Sequence, residues 1–176
     1  PNYPSIDQLA NNLAAQCERE GNTTEYEKAL WFHDWLIKNC SYDHSYLYCG
    51  ADSAFARGIG TCEAFYEAYV VLLNKVGIQT ARITGNGHVW AAAKIDGKWT
   101  HIDPTWDADQ KEGSFNQHMY FGLPDELIQI AHNEHVIKEE YKADSYDNNY
   151  FIHSGKIKEW SDPFVDKIQQ KLNDGV

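Results

Sequence analysis

A chain of 176 residues, 43% hydrophobic and 14% aromatic, is long enough to bury one core, so a single compact domain over residues 1–176 is the default. Its 15 basic and 26 acidic residues leave a formal charge of −11, which excludes phosphate backbones and anionic lipid surfaces as natural partners and favours a cationic or neutral polypeptide. No stretch approaches the roughly 20 apolar residues of a bilayer span and no signal pattern opens the chain, so membrane insertion is not expected; starting at Pro1 without Met, the chain reads as a processed protein or an excised segment.

Ser5-Ile6-Asp7-Gln8 has the form of a capping box, and apolar residues recur at Ile6, Leu9, Leu13 and Cys17, predicting a helix to about residue 20 that Gly21 ends. A second box, Thr24-Glu25-Tyr26-Glu27, opens an amphipathic helix carrying Leu30, Trp31, Trp35 and Leu36 as far as residue 39. Residues 40–60, rich in Tyr, Ser, Asp and Gly, read as one long loop of the kind that tends to be functional. The run 62–76 is apolar nearly all round, as expected of a central buried helix, and Gly77 stops it.

Beyond Gly77 the period changes from 3.6 to 2, predicting strands at 78–84, 88–95 and 98–103 with Asp96-Gly97 as a two-residue hairpin turn. The tail offers a strand at 118–121, a helix at 124–132, a strand at 150–153 and a last helix from about residue 163 with Asp162 as its cap. Helices followed by an antiparallel sheet make the fold class α+β.

Cys62 follows Gly60-Thr61 at the start of the central helix, where free amides and the macrodipole favour a thiolate, the form in which cysteine is a nucleophile. The Asp96-Gly97 turn pairs Ile95 with Lys98; carried outward, that register sets His88 opposite Thr105 and Trp90 opposite Asp103. His88 and Asp103 then share a sheet face as diagonal neighbours about 7–8 Å apart between backbones, within reach of their side chains. A carboxylate on one imidazole nitrogen fixes the tautomer and turns the other toward a thiol. Each residue alone has an ordinary structural explanation: a small buried Cys, a satisfied core His, an Asp capping a turn. Together they place a thiol, an imidazole and a carboxylate in one cleft.

These stretches resemble the transglutaminase-like superfamily. The resemblance rests on Gly60 to Tyr66, on Gly77-Ile78 before the first strand, on His88-Val89-Trp90, on Trp99 to Trp106 ending in Asp-Pro-Thr-Trp, and on the upstream Ile37 to Asp43. It covers about residues 24–107. Val89 stands where Ala is common and Ala64-Phe65 where Gly-Tyr is common, both of similar size class. The resemblance implies a papain-like architecture with the nucleophile at the start of a central helix packed on the antiparallel sheet. It also implies Cys62 as nucleophile, His88 as base and Asp103 as the residue orienting the histidine. Tyr42, Trp90 and Trp106 are candidates to line the substrate cleft, with a buried structural role expected for one of the two tryptophans.

The implied activity is cysteine-dependent acyl transfer on peptide or glutamine amide bonds through a thioester, weighted toward hydrolysis. A cross-linking transglutaminase and a non-catalytic binding module that keeps the cleft are the alternatives. The substrate is a protein or peptide, and the setting extracellular or cell-surface. Cys40 and Cys49 are candidates to pair in an oxidising compartment, leaving Cys17 buried on its helix. Asp107, Asp109 and Glu112 lack the order of a calcium loop, and His132 and His135 near Glu139 lack a third convincing zinc ligand, so the reading assigns no metal and no cofactor.

Overall fold

The computed structural model describes residues 4–108, 115–132, 138–157 and 164–174. Helix α1 (Ile6–Arg19) is capped by Ser5, whose hydroxyl accepts from the Gln8 amide, and α2 (Glu25–Asn39) by the full Thr24/Glu27 capping box. Helix α3 (Cys62–Lys75) buries Ala64, Phe65, Ala68, Tyr69, Leu72 and Leu73, the three- and four-residue spacing of an inward face. The Tyr69 hydroxyl donates to the Ala29 carbonyl at 2.8 Å, which ties α3 to α2 inside the core.

Four strands form an antiparallel sheet in chain order: β3 (Thr80–Gly85), β4 (His88–Ile95), β5 (Lys98–Ile102) and β6 (Phe121–Leu123). Two tight turns set its register. Asn86-Gly87 and Asp96-Gly97 all have positive φ, the backbone that matches strand twist, and they pair Gly85 with His88 and Ile95 with Lys98. The β4–β5 ladder runs from Ile95/Lys98 to Ala91/Ile102, as the turn predicted. It stops there, because Asp103-Pro104 turns the chain into α4 (Pro104–Ala108), so Asp103 and Thr105 have no ladder partners.

Alternation along β4 divides the interior between the two sheet faces. Ala91, Ala93 and Ile95 pack with α1, α2 and α3, whereas Trp90 and Ala92 pack with Met119, Leu123, Leu127, Ile128 and Phe151 on the other face. That second face is covered by α5 (Asp125–Ala131), by α6 (Tyr150–His153) and by Leu172 of α7 (Phe164–Asp174).

Three expected elements differ. The 40–60 loop contains a parallel pair, β1 (Ser41–Tyr42) with β2 (Ile59–Gly60), and a π-helical turn, Ser53–Arg57. The strand expected at 118–121 begins only at Phe121, after a 3₁₀ turn (Phe115–His118), and carries a bulge at Gly122. The strand expected at 150–153 is α6: the Asn149 side chain accepts from the amides of Phe151 and Ile152, and that cap outweighs the β-leaning Tyr-Phe-Ile composition. Cys40 and Cys49 are free thiols and do not form the expected pair, Cys40 being buried and Cys49 exposed. Asp162 lies outside the described residues.

Candidate active site

Cys62 is the first residue of α3, with Thr61 at the cap, so the first-turn amides that have no partner inside the helix lie around its thiol. Asp43 positions this entrance: buried, it accepts from the amides of Ser45, Leu47 and Tyr48 at 2.8 to 2.9 Å. The shaped loop then returns two backbone bonds, Asp43 N–H to the Gly60 carbonyl and Thr61 N–H to the Tyr48 carbonyl.

His88, at the start of β4, has its Nε2 2.7 Å from Asp103 Oδ2, which leaves Nδ1 for the thiol. By strand alternation His88 belongs to the Trp90 face, opposite the face that α3 covers, and its ring meets Cys62 at the end of the strand. The hydrogen bond from His88, assisted by the Val89 amide, lowers the Cys62 pKa against the opposing effect of burial. Burial pushes His88 down, but the charge and hydrogen bond of Asp103 outweigh it and lift the imidazole to about 10. Burial alone would raise Asp103; the His88 charge and the hydrogen bonds from His132 and His88 hold it well below the usual carboxylate range instead. The arrangement favours thiolate, imidazolium and carboxylate.

His132 has no role in the sequence reading beyond a rejected zinc set, yet its Nε2 lies 2.7 Å from the same Asp103 Oδ2. It packs against Trp106 at 4.3 Å, Trp90 at 4.5 Å and Tyr120 at 5.4 Å between ring centroids. Its position 29 residues beyond Asp103 leaves no local pattern that would have joined the two. His135 lies outside the described residues.

Trp90 is 1% exposed and stacks near-parallel on His88 at 5.7 Å. Trp106, half-buried, tilts over His88 at 5.8 Å. Tyr42, also half-buried, is close enough to feel the Cys62 charge. A cavity of about 460 Å³ opens beside the thiol, bounded by Cys62, Glu63, Arg82, His88 and the Asn86-Gly87 turn; Arg82 pairs with Glu63 at 2.8 Å.

Asp107 is fully buried on α4, 2.8 Å from His33 Nε2, while Asp109 and Glu112 lie outside the described residues. Among the described residues, two groups have donor atoms converging closely enough for a metal ion: His88, Asp103 and His132, and, separately, His33, Asp34 and His118.

A family model described as "Transglutaminase-like superfamily" matches residues 11–104. No curated protein matches the chain. A solved structure of a TGase aligns with a TM-score of 0.52 at 20% identity, over 62% of this chain and 35% of that one. A structure provisionally described as a cysteine protease from Cytophaga hutchinsonii aligns with a TM-score of 0.47 at 22% identity, over 58% and 40% of the two chains. The chain thus spans little more than a third of the length of these structures, and the likeness to the TGase is one of fold.

Proposed function

The chain belongs to the transglutaminase-like superfamily, and on that premise we propose that it is a cysteine-dependent acyl-transfer enzyme hydrolysing peptide or glutamine amide bonds. The observation that carries this reading is the His88 imidazole held between the Cys62 thiol and the Asp103 carboxylate.

The Cys62 thiolate attacks the carbonyl carbon, and the carbonyl π electrons move onto oxygen, where the first-turn amides of α3 stabilise the charge. As the tetrahedral intermediate collapses, the C–N bond breaks, and the His88 imidazolium gives its proton to the departing amine. Water, deprotonated by the now neutral His88, attacks the thioester carbonyl; the C–S bond breaks, which releases the acid and restores the Cys62 thiolate and His88 imidazolium. Asp103 keeps the ring in the orientation and tautomer both steps need. Tyr42 and Trp106 border the acyl group. The cavity beside Cys62, which opens along the exposed Asn86-Gly87 turn, gives the acyl acceptor a way to the thioester.

Two measurements test the reading. Iodoacetamide at mildly acidic pH should alkylate Cys62 at least tenfold faster than the exposed Cys49, with Cys17 and Cys40, raised by burial to about 11 and 12, slower still. Equal rates at Cys62 and Cys49 would sink the activated thiol. Incubation with glutamine-containing peptides, with and without a primary amine, should give cleavage or deamidation by mass that Cys62→Ala abolishes. An amine adduct as the main product would assign cross-linking instead.

A further inference from the structure

We propose that His33, Asp34 and His118 bind one divalent cation of the zinc class, at a site separate from the thiol. His33 and Asp34 are neighbours on α2, and His118 closes the 3₁₀ turn before β6. His33 Nδ1 and His118 Nε2 each lie 2.8 Å from Asp34 Oδ1, and the three donor atoms fall within 4.8 Å of one another. Two imidazoles and a carboxylate form the donor set that suits zinc, with water in the fourth position. A tetrahedral ion with bonds of about 2.0 Å needs donors about 3.3 Å apart, so the two contacts to Asp34 must widen, and the two imidazole nitrogens, within 4.8 Å of each other, must settle to the same spacing. Asp34, 46% exposed at its side chain, has the room to move and leaves the ion a way in.

The support around the ligands is what separates this cluster from a surface coincidence. His33 is fully buried, and its far nitrogen lies 2.8 Å from the carboxylate of Asp107, itself fully buried. That carboxylate in turn accepts from the Tyr120 amide at 3.2 Å. A carboxylate behind the imidazole fixes the tautomer, raises ligand basicity and aims the near nitrogen at the metal. His118 is held by the Tyr150 ring, stacked at 3.9 Å and 12°.

His33 meets a carboxylate at each nitrogen, Asp34 at Nδ1 and Asp107 at Nε2, so an ion at the centre would sit on the Nδ1 side with Nε2 still held by Asp107, and ligation displaces the proton on the near nitrogen. The ion would brace α2 against the turn leading into β6. Tyr120 joins this brace to the thiol site, since its amide donates to Asp107 and its carbonyl accepts from the Asp103 amide at 2.8 Å.

The test is zinc titration of chelator-treated protein by calorimetry, with thermal melts in zinc and in chelator, and cobalt(II) as a spectroscopic probe. The expected result is one equivalent bound, proton release, a higher melting temperature in zinc, and cobalt visible bands without a thiolate-to-cobalt charge-transfer band. His118→Ala and Asp34→Ala should each weaken binding at least tenfold while Cys62→Ser and His88→Ala leave it intact. Asp34 is partly exposed, so that variant keeps the test decisive if the histidine variant folds poorly. No saturable binding, unchanged affinity in both ligand variants, or a charge-transfer band abolished by Cys62→Ser would each overturn the proposal.

Discussion

Asp103 Oδ2 receives two imidazoles, His88 and His132, while the buried Oδ1 has no hydrogen-bond partner among the described residues, so there the carboxylate's stabilisation is concentrated on one atom. Replacing it with Asn removes the charge that holds His88 protonated. The imidazolium then no longer supports the thiolate. Asp103→Asn should slow Cys62 alkylation at pH 6 at least tenfold and leave Cys49 unchanged, read by peptide mass. The same pair leaves a signature in stability. His88 is raised above its ordinary 6.5 to about 10, so its contribution is complete below pH 6.5 and is lost as pH climbs toward 10. In a Cys62→Ala background, which removes the thiolate's share of the shift and keeps that of Asp103, the urea midpoint should still fall as pH rises above 6.5, and adding His88→Gln should flatten the fall. Of this site, Cys62, His88 and Asp103 were legible because a helix start and a two-residue turn are local signals. His132 was not, nor was His33 in the separate cluster, since each is placed by a carboxylate 29 or 74 residues away.

At the scale of elements, short-range chemistry decided most outcomes. The Thr24/Glu27 box was readable because both partners lie within four residues, and Thr24→Ala should cost about 1 kcal/mol in urea unfolding. The second half was harder to read. Aromatic, β-branched stretches suggest strands, but at 150–153 a single Asn cap recruits one into a helix, and at 118–121 a 3₁₀ turn delays the strand. The β6 bulge has a tertiary cause: Gly122 has φ +85°, and a Cβ there would lie 1.9 Å from the Asn148 carbonyl oxygen. Gly122→Ala should therefore destabilise far more than a typical glycine substitution, with a melting temperature lowered by 10 °C or more or no soluble protein; a drop under 3 °C would show that the segment at Asn148 yields easily.

Across the whole molecule, the excess of acidic groups gives a long-range field that salt can screen. With glutamine peptides of matched length, KM for a cationic peptide should rise several-fold between 50 and 300 mM salt, while KM for a neutral one stays flat. The α+β class and the helix-then-sheet order follow from a change of hydrophobic period that the sequence displays openly. The two-faced packing of the sheet does not, because the second layer is built from short segments whose partners lie far along the chain.

The imidazole is carried on one side of the sheet and the thiol's helix packs on the other, and they touch only around a strand end. A half-assembled chain, with either layer unseated, therefore holds an ordinary cysteine. Pulse alkylation during refolding should find Cys62 unremarkable until the final phase, when rapid modification switches on together with native fluorescence.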